Sequence, residues 1–247
     1  TGHGMVDLKD AVAQSCDVYF YDLARSLGID RLHDFLAQFG FGARTGIDIV
    51  GELPGLLPSS AWKRAARGEA WYPGETLISG IGQGFNLTTP LQLAVATATL
   101  ASYGEFRQPH LVHAVRDPDG NLAPMSVAPT RIIPMADRAH WEQAIDSMVE
   151  VVHGARGTAR RIGEGIDYRI GGKTGTAQVF GLKQEEEYDA SKLERRLHDH
   201  ALFIAFAPAE APRIAVAVVV ENGGSGSGVA APIARLILDR YFEDNPL

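Results

Sequence analysis

Apolar residues recur at helical spacing through the first hundred positions. Phe20, Leu23, Ala24 and Leu27 fall at i, i+3, i+4 and i+7, and Gly28 stops the run. Leu32, Phe35, Leu36 and Phe39 repeat the stripe behind Asp30 as a cap, and Gly40 ends it. A shorter helix is expected over Leu8 to Gln14 with Asp7 as N-cap, so Ser15-Cys16-Asp17 sits at a junction between two helices, where side chains can point into a cleft. Phe41 to Gly84 is rich in Gly, Pro and Trp and predicts irregular backbone with one short helix, Ser60 to Arg67. Its Ile78 to Gly84 stretch is expected to fold tightly under a site. Thr88 or Thr89 then caps a helix with Pro90 in first place and Leu93, Ala96, Thr97 and Leu100 on one face, a candidate central core helix.

The second half changes period. Two short strands are expected between Pro109 and Pro134, split by the turn Asp117-Pro-Asp-Gly120. Trp141, Ala144, Ile145, Met148 and Val152 mark a further amphipathic helix ending at Gly154, and Gly157-Thr158-Ala159 can restart a shorter one. Strand-like runs follow at Tyr168 to Val179, Ala201 to Phe206 and Arg213 to Val220. Between the first two lies Gly181 to Asp199, whose four basic and six acidic residues predict a solvated, mobile loop. Gly223 to Gly228 reads as a flexible connector into a closing helix, Val229 to Phe242. Helices early and antiparallel strands late imply an α+β fold, not a doubly wound sheet.

Composition narrows the class. With 247 residues, 45% hydrophobic and 21% charged, the chain can bury the core of one good-sized domain. A net charge of -7 without a clustered basic run argues against a nucleic-acid partner. No segment approaches the roughly 20 apolar residues of a membrane-spanning helix. The chain opens Thr1-Gly2-His3-Gly4 without an initiator Met, and is read as a piece of a longer protein. The single Cys16 has no partner for an internal disulfide.

The candidate chemistry centres on Lys173-Thr174-Gly175-Thr176. Lys173 supplies a cation, Thr174 and Thr176 supply hydroxyls, and Gly175 lacks a Cβ, so a ligand backbone can approach as if pairing with a free sheet edge. A surface lysine on an edge strand is the plainer alternative, which the leading Gly171 and Gly172 weigh against. Ser15-Cys16-Asp17 fits the pattern Ser-x-Asn with Asp in third place. There a hydroxyl can relay a proton near a leaving group while the third residue bonds substrate or a catalytic lysine. Alternatively, Ser15 and Asp17 only cap the Phe20 helix. Trp62, Trp71 and Tyr72 can line a peptide-binding wall or pack in the core, and the histidines beyond His3 lack ligand spacing.

Order and separation of the two motifs carry a resemblance. Ser15-Cys-Asp-Val-Tyr-Phe-Tyr21, Thr45-Gly-Ile-Asp48, Ile81-Gly-Gln-Gly84, Thr89-Pro-Leu-Gln92, Lys173-Thr-Gly-Thr-Ala-Gln178 and Glu221-Asn-Gly-Gly224 resemble the transpeptidase domain of the class B penicillin-binding proteins, most closely their elongation-specific branch. The resemblance implies a five-stranded antiparallel sheet covered by helices, beside a helical region, with the cleft between them. It makes residues 1–247 the C-terminal part of one transpeptidase domain. It assigns Ser15, Asp17 and Lys173 catalytic roles, puts the substrate carboxylate on Lys173, Thr174, Gly175 and Thr176, and makes the Thr176 N–H an oxyanion-hole donor. The implied partners are the D-Ala-D-Ala stem peptide of lipid-linked nascent glycan, β-lactams, and the glycosyltransferase and scaffold proteins of an elongation machinery. The implied place is the periplasmic face of the inner membrane of a Gram-negative bacterium, with the membrane anchor and a pedestal lying upstream. A β-lactamase, a D,D-carboxypeptidase or a non-catalytic penicillin sensor on the same fold stay open as alternatives.

The resemblance also marks what to expect outside this stretch. The family's nucleophile is the serine of a Ser-x-x-Lys motif upstream of Ser-x-Asn, and the 247 residues alone are expected to be inert. Ser60-Ala-Trp-Lys63 fits that pattern in the wrong order, and Ser60 is more simply an N-cap. Acyl transfer needs no cofactor. Similar proteins hold a structural Zn²⁺ on a Cys at the Cys16 place, a His at the His3 distance and two upstream carboxylates; a buried Cys16 with a solvated His3 is the alternative.

Overall fold

A computed structural model of the chain describes residues 2–126, 128–179 and 194–247. The core is a three-stranded antiparallel sheet of β5 (Gly171–Ala177), β6 (His200–Ala207) and β7 (Ile214–Val220), in that order. Thr174 pairs with Phe203 and Phe203 with Val218, which fixes the register of all three. This is the expected α+β antiparallel sheet, with three strands of the implied five among the described residues.

Apolar residues fill both faces of β6. Ala201, Phe203, Ala205 and Ala207 pack on one side with Ala234 and Leu238 of α8 (Ala231–Asp244) and with Val151 and Val152 of α7 (Arg138–His153). Phe206 turns the other way, onto Ala101 of α6 (Pro90–Ala101) and onto Ile145 and Met148 of α7. A strand covered on both faces reads as a continuous apolar run, as Leu-Phe-Ile-Ala-Phe-Ala does here. Gly171 and Gly172 are explained by this packing. A Cβ at Gly171 would lie 2.2 Å from the Phe206 ring and one at Gly172 2.6 Å from the Phe203 ring. Their service is to the core, so they are no evidence about the lysine that follows them.

The helical side forms largely where the pattern puts it. α1 (Leu8–Gln14) starts at Asp7, whose carboxylate accepts the Asp10 N–H at 2.8 Å, and α2 (Asp17–Leu27) and α3 (Ile29–Ala37) follow. α6 starts in a capping box in which Thr89 and Gln92 satisfy each other's backbone N–H groups. Its burial is wider than one stripe, because Gln92 is also fully enclosed, donating to the Ala43 and Pro54 carbonyls. Two corrections concern caps. Gly28, not Asp30, precedes α3, and Asp30 instead accepts the Ser60 N–H and hydroxyl at 2.8 and 2.6 Å. Ser59, not Ser60, caps α4 (Ser60–Arg67).

α5 (Pro73–Gly80) occupies a stretch expected to be irregular. Two glycines in eight residues hide it, and tertiary contacts stabilise it: Glu75 accepts from the Tyr72 N–H and from Lys63 of α4. The lack of a Cβ at Gly80 lets α5 press on Ala24 of α2, where one would come within 2.3 Å. Two small ribbons complete the fold, β1 (Glu105–Phe106) with β4 (Arg131–Ile132), and β2 (Ala114–Arg116) with β3 (Leu122–Pro124) across the expected turn. No helix among the described residues is long and apolar enough to cross a membrane. The charged loop expected from Gly181 lies outside the described residues up to position 193.

Candidate active site

α1 ends in a way that aims Ser15. Its φ and ψ of 53° and 59° are left-handed, a conformation that side chains other than Gly, Asn and Asp seldom take and one that gathers at functional sites. The turn is held because the Ser15 and Cys16 N–H groups reach back to the Val12 and Ala11 carbonyls. Cys16 is buried in that turn, and Asp17 opens α2 on the exposed side.

Opposite stands β5. Lys173 Nζ lies 2.5 Å from Ser15 Oγ, across 158 residues of sequence, and 2.9 Å from the Thr174 carbonyl. The Thr174 hydroxyl is 3.0 Å from that of Thr158, whose own N–H donates to Ala13 of α1. Both motifs therefore meet, and the plain capping account of Ser15 does not describe its position. The cleft between them measures about 820 Å³. Ser15, Asp17, Phe20 and Tyr21 line one side and Lys173 to Thr176 with Gln178 the other, while Ile78, Ile81 and Gln83 come from the end of α5 and the turn after it.

Burial sets the electrostatics. Desolvation pulls the Lys173 ammonium down to about 8, against the opposing pull of the Asp17 carboxylate. Among the described residues no carboxylate lies within ion-pair distance of it, so hydroxyls and a carbonyl solvate the charge from one side and the cleft from the other. Burial also raises Asp199, a lining residue just before β6.

Some lining residues carry no legible signal. Ser225, Gly226 and Ser227 belong to the expected flexible connector, yet they close one end of the cleft and start a wide helical turn into α8. Gly226 is buried so tightly that a Cβ would lie 2.4 Å from the Gly175 carbonyl. A Gly-Ser run has the same composition in a tether as in a close backbone approach. Thr158 lies in the Gly157 to Ala159 stretch expected to restart a shorter helix, and a 3-10 turn, Arg160–Gly163, follows it.

Other candidates fall away from the cleft. Ser60 is bonded to Asp30, and Lys63 is buried against Glu75 at 2.6 Å and Glu69 at 3.4 Å, so the pair Ser60 and Lys63 is structural. Trp62 and Trp71 pack around Phe85, 5.2 and 6.1 Å between ring centres. His153 accepts the Ile170 N–H and helps fix the start of β5. His3 is exposed, and among the described residues no three His, Cys, Asp or Glu side chains are grouped to hold a metal. Cys16 and His3 alone fall short of the four donors of a structural zinc.

The geometry agrees with what the chain is similar to. A profile of the penicillin binding protein transpeptidase domain matches residues 1–239. The peptidoglycan D,D-transpeptidase MrdA of Haemophilus influenzae is 43% identical over 245 residues, covering 98% of this chain and 37% of that protein. The crystal structure of Pseudomonas aeruginosa PBP2 in complex with WCK 5153 has a TM-score of 0.82 at 48% identity, over 96% of this chain and 47% of that one. PBP2 of Helicobacter pylori, in its complex with MreC, also scores 0.82, at 31% identity over 98% and 41% of the two chains. The chain thus spans well under half the length of the curated relative.

Proposed function

The chain belongs to the penicillin-binding protein transpeptidase domain family, and on that premise we propose that the protein it comes from is a peptidoglycan D,D-transpeptidase acting through a serine acyl-enzyme. One observation carries the reading: among the described residues Lys173 of β5, a strand that pairs with β6 on one side, has no carboxylate within ion-pair distance, and its ammonium stands beside the Ser15 hydroxyl. A largely enclosed ammonium that faces an open cleft is a site for an anionic ligand.

The residues divide the work as follows. Lys173 and the hydroxyls of Thr174 and Thr176 hold the terminal carboxylate of a D-Ala-D-Ala stem. The nucleophile comes from a part of the protein outside these 247 residues, since the sequence's sole Ser-x-x-Lys is spent on packing. Its Oγ attacks the penultimate D-Ala carbonyl; the new C–O bond forms, the C–N bond to the last D-Ala breaks, and the serine proton ends on the departing nitrogen. Ser15 fits the relay. It accepts from Lys173, which leaves its own O–H directed elsewhere, toward the leaving group. The Thr176 N–H is one oxyanion donor, a role worth on the order of 3 kcal/mol. An amine of a second stem then attacks the ester, forming the cross-link amide and returning the proton to serine.

The acyl transfer needs no metal; a zinc on Cys16 and His3 would need further ligands from outside the described residues. We place the full protein on the periplasmic face of a Gram-negative inner membrane, among the glycosyltransferase and scaffold proteins of cell elongation. The similarity to PBP2 solved with MreC supports the protein-partner part of that reading. The test is to supply the full-length protein with lipid-linked stem peptides. Equal amounts of free D-Ala and cross-linked dimer are expected. D-Ala without dimer would make it a carboxypeptidase, rapid penicillin turnover a β-lactamase, and acylation without either product a sensor.

A further inference from the structure

The outer edge of β5 already has donors on two of its carbonyls. β5 pairs with β6 on one side. Thr174 and Thr176 are two residues apart, so their backbone groups face the same way, and in an antiparallel strand the N–H and C=O of one residue point together. The Thr174 carbonyl accepts from Lys173 Nζ at 2.9 Å and the Thr176 carbonyl from Gln83 Nε2 at 3.0 Å. An extended ligand that adds to this edge takes both the N–H and the C=O of Thr176. Gln83 therefore stands where an amide N–H of the ligand would come.

The turn that carries Gln83 is built to hold it there. Gly82 and Gly84 on either side have φ of 79° and 72°, which only glycine adopts freely, and Asn86 Nδ2 donates to the Gln83 carbonyl at 2.8 Å. The backbone is fixed; the side chain reaches over 93 residues of sequence to β5 through one neutral hydrogen bond.

We propose that Gln83 is a displaceable plug: its amide occupies the Thr176 carbonyl in the free protein and yields it to an amide N–H of the incoming ligand. The exchange trades one amide hydrogen bond for another, so displacement costs little for a ligand with the right donor. A ligand without one either leaves Gln83 across the cleft or leaves a carbonyl unpaired. Gln83 thereby narrows the lead of an amide-bearing ligand over an amide-free one, because only the former must give up the Gln83 bond. This rests on the acyl-transfer reading above.

The test compares two β-lactams on the full-length protein, one with an acylamino side chain beside the lactam ring and one without, by their acylation rate constants. Replacing the amide by a thioether of equal length, Gln83→Met, removes the plug. The ratio of the two rates, amide-bearing over amide-free, is expected to rise about fivefold, the worth of one such hydrogen bond. An unchanged or falling ratio overturns the proposal, because a residue that merely props β5 slows both ligands together. Should Gln83→Met not fold, crystal structures of the unmodified acyl-enzymes decide. The Gln83 to Thr176 bond is broken under the amide-bearing ligand and kept under the other, and a bond kept under both overturns it. If neither lactam acylates the unmodified protein, the acyl-transfer reading itself has failed.

Discussion

A buried lysine, Lys63 in the α4–α5 corner, and a half-buried one, Lys173 in the cleft, show how surroundings decide what a cation does. Lys63 meets two carboxylates, Glu75 and Glu69, and stands 4.3 Å over the Tyr72 ring. Its charge is spent within the protein, binding α4 to α5. Lys173 meets a serine hydroxyl, a threonine hydroxyl and a carbonyl, and its remaining side faces an open cleft. A lysine in direct ion pairs supports structure, and one that meets only hydroxyls and a carbonyl among the described residues supports binding. Each sits in a motif-like string, Ser60-x-x-Lys63 and Lys173-Thr-Gly, so the string alone does not separate them.

The largest expected effect comes from exchanging the two lysines' fates. In the full-length protein, Lys173→Met should lower β-lactam acylation by roughly a thousandfold, as loss of a buried charge partner does. Its melting temperature should hold or rise, because it removes an ammonium that is costly to bury. Lys63→Met should do the reverse, losing thermal stability while the folded fraction acylates within about threefold of the parent. Equal damage to acylation by both would break the comparison. Next in size is Ser15→Ala, expected to slow acylation about a hundredfold with unchanged melting, if the hydroxyl relays a proton. A loss under threefold would leave Ser15 a turn residue.

The pH dependence should sharpen the picture. Lys173 sits at about 8 in the fold, against 10.5 for a free lysine. Binding of a carboxylate needs the charged form, so acylation by an anionic lactam should fall above about pH 8. Between about 8 and 10.5 the unfolded chain binds the extra proton, so Lys173 makes stability rise with pH across that window, its burial cost being complete below it. Because Asp17 raises Lys173, Asp17→Asn should move the alkaline limb to lower pH; a limb that stays put would remove Asp17 from the charge balance. The smallest effect belongs to Gly171→Ala, whose methyl would press on Phe206; a loss of about 1–3 kcal/mol is expected in denaturant unfolding.

What the sequence reveals follows from how local each cause is. α1, α4 and the Pro90 helix carry their own caps and periodicity, and are legible almost to the residue. α5 is not, because Lys63 from another helix stabilises it. In the site, Lys173, Thr174 and Ser15 are legible as motifs. Gln83 appears only as part of a tight glycine turn, and the Ser225 to Ser227 wall reads as a linker. Both owe their place to β5, more than forty residues away in each direction, and no spacing in their own neighbourhoods encodes that.

The central claim is that the Lys173 cleft is where acyl transfer takes place. Intact mass of the full-length protein after treatment with a slow-turnover penicillin, followed by peptide mapping, tests it most directly alongside folded Lys173→Met. One adduct per chain is predicted, on a serine outside these 247 residues, and it should be lost in Lys173→Met on the same timescale. An unlabelled parent, an equally labelled Lys173→Met, or an adduct on Ser15 or Ser60 would contradict the account.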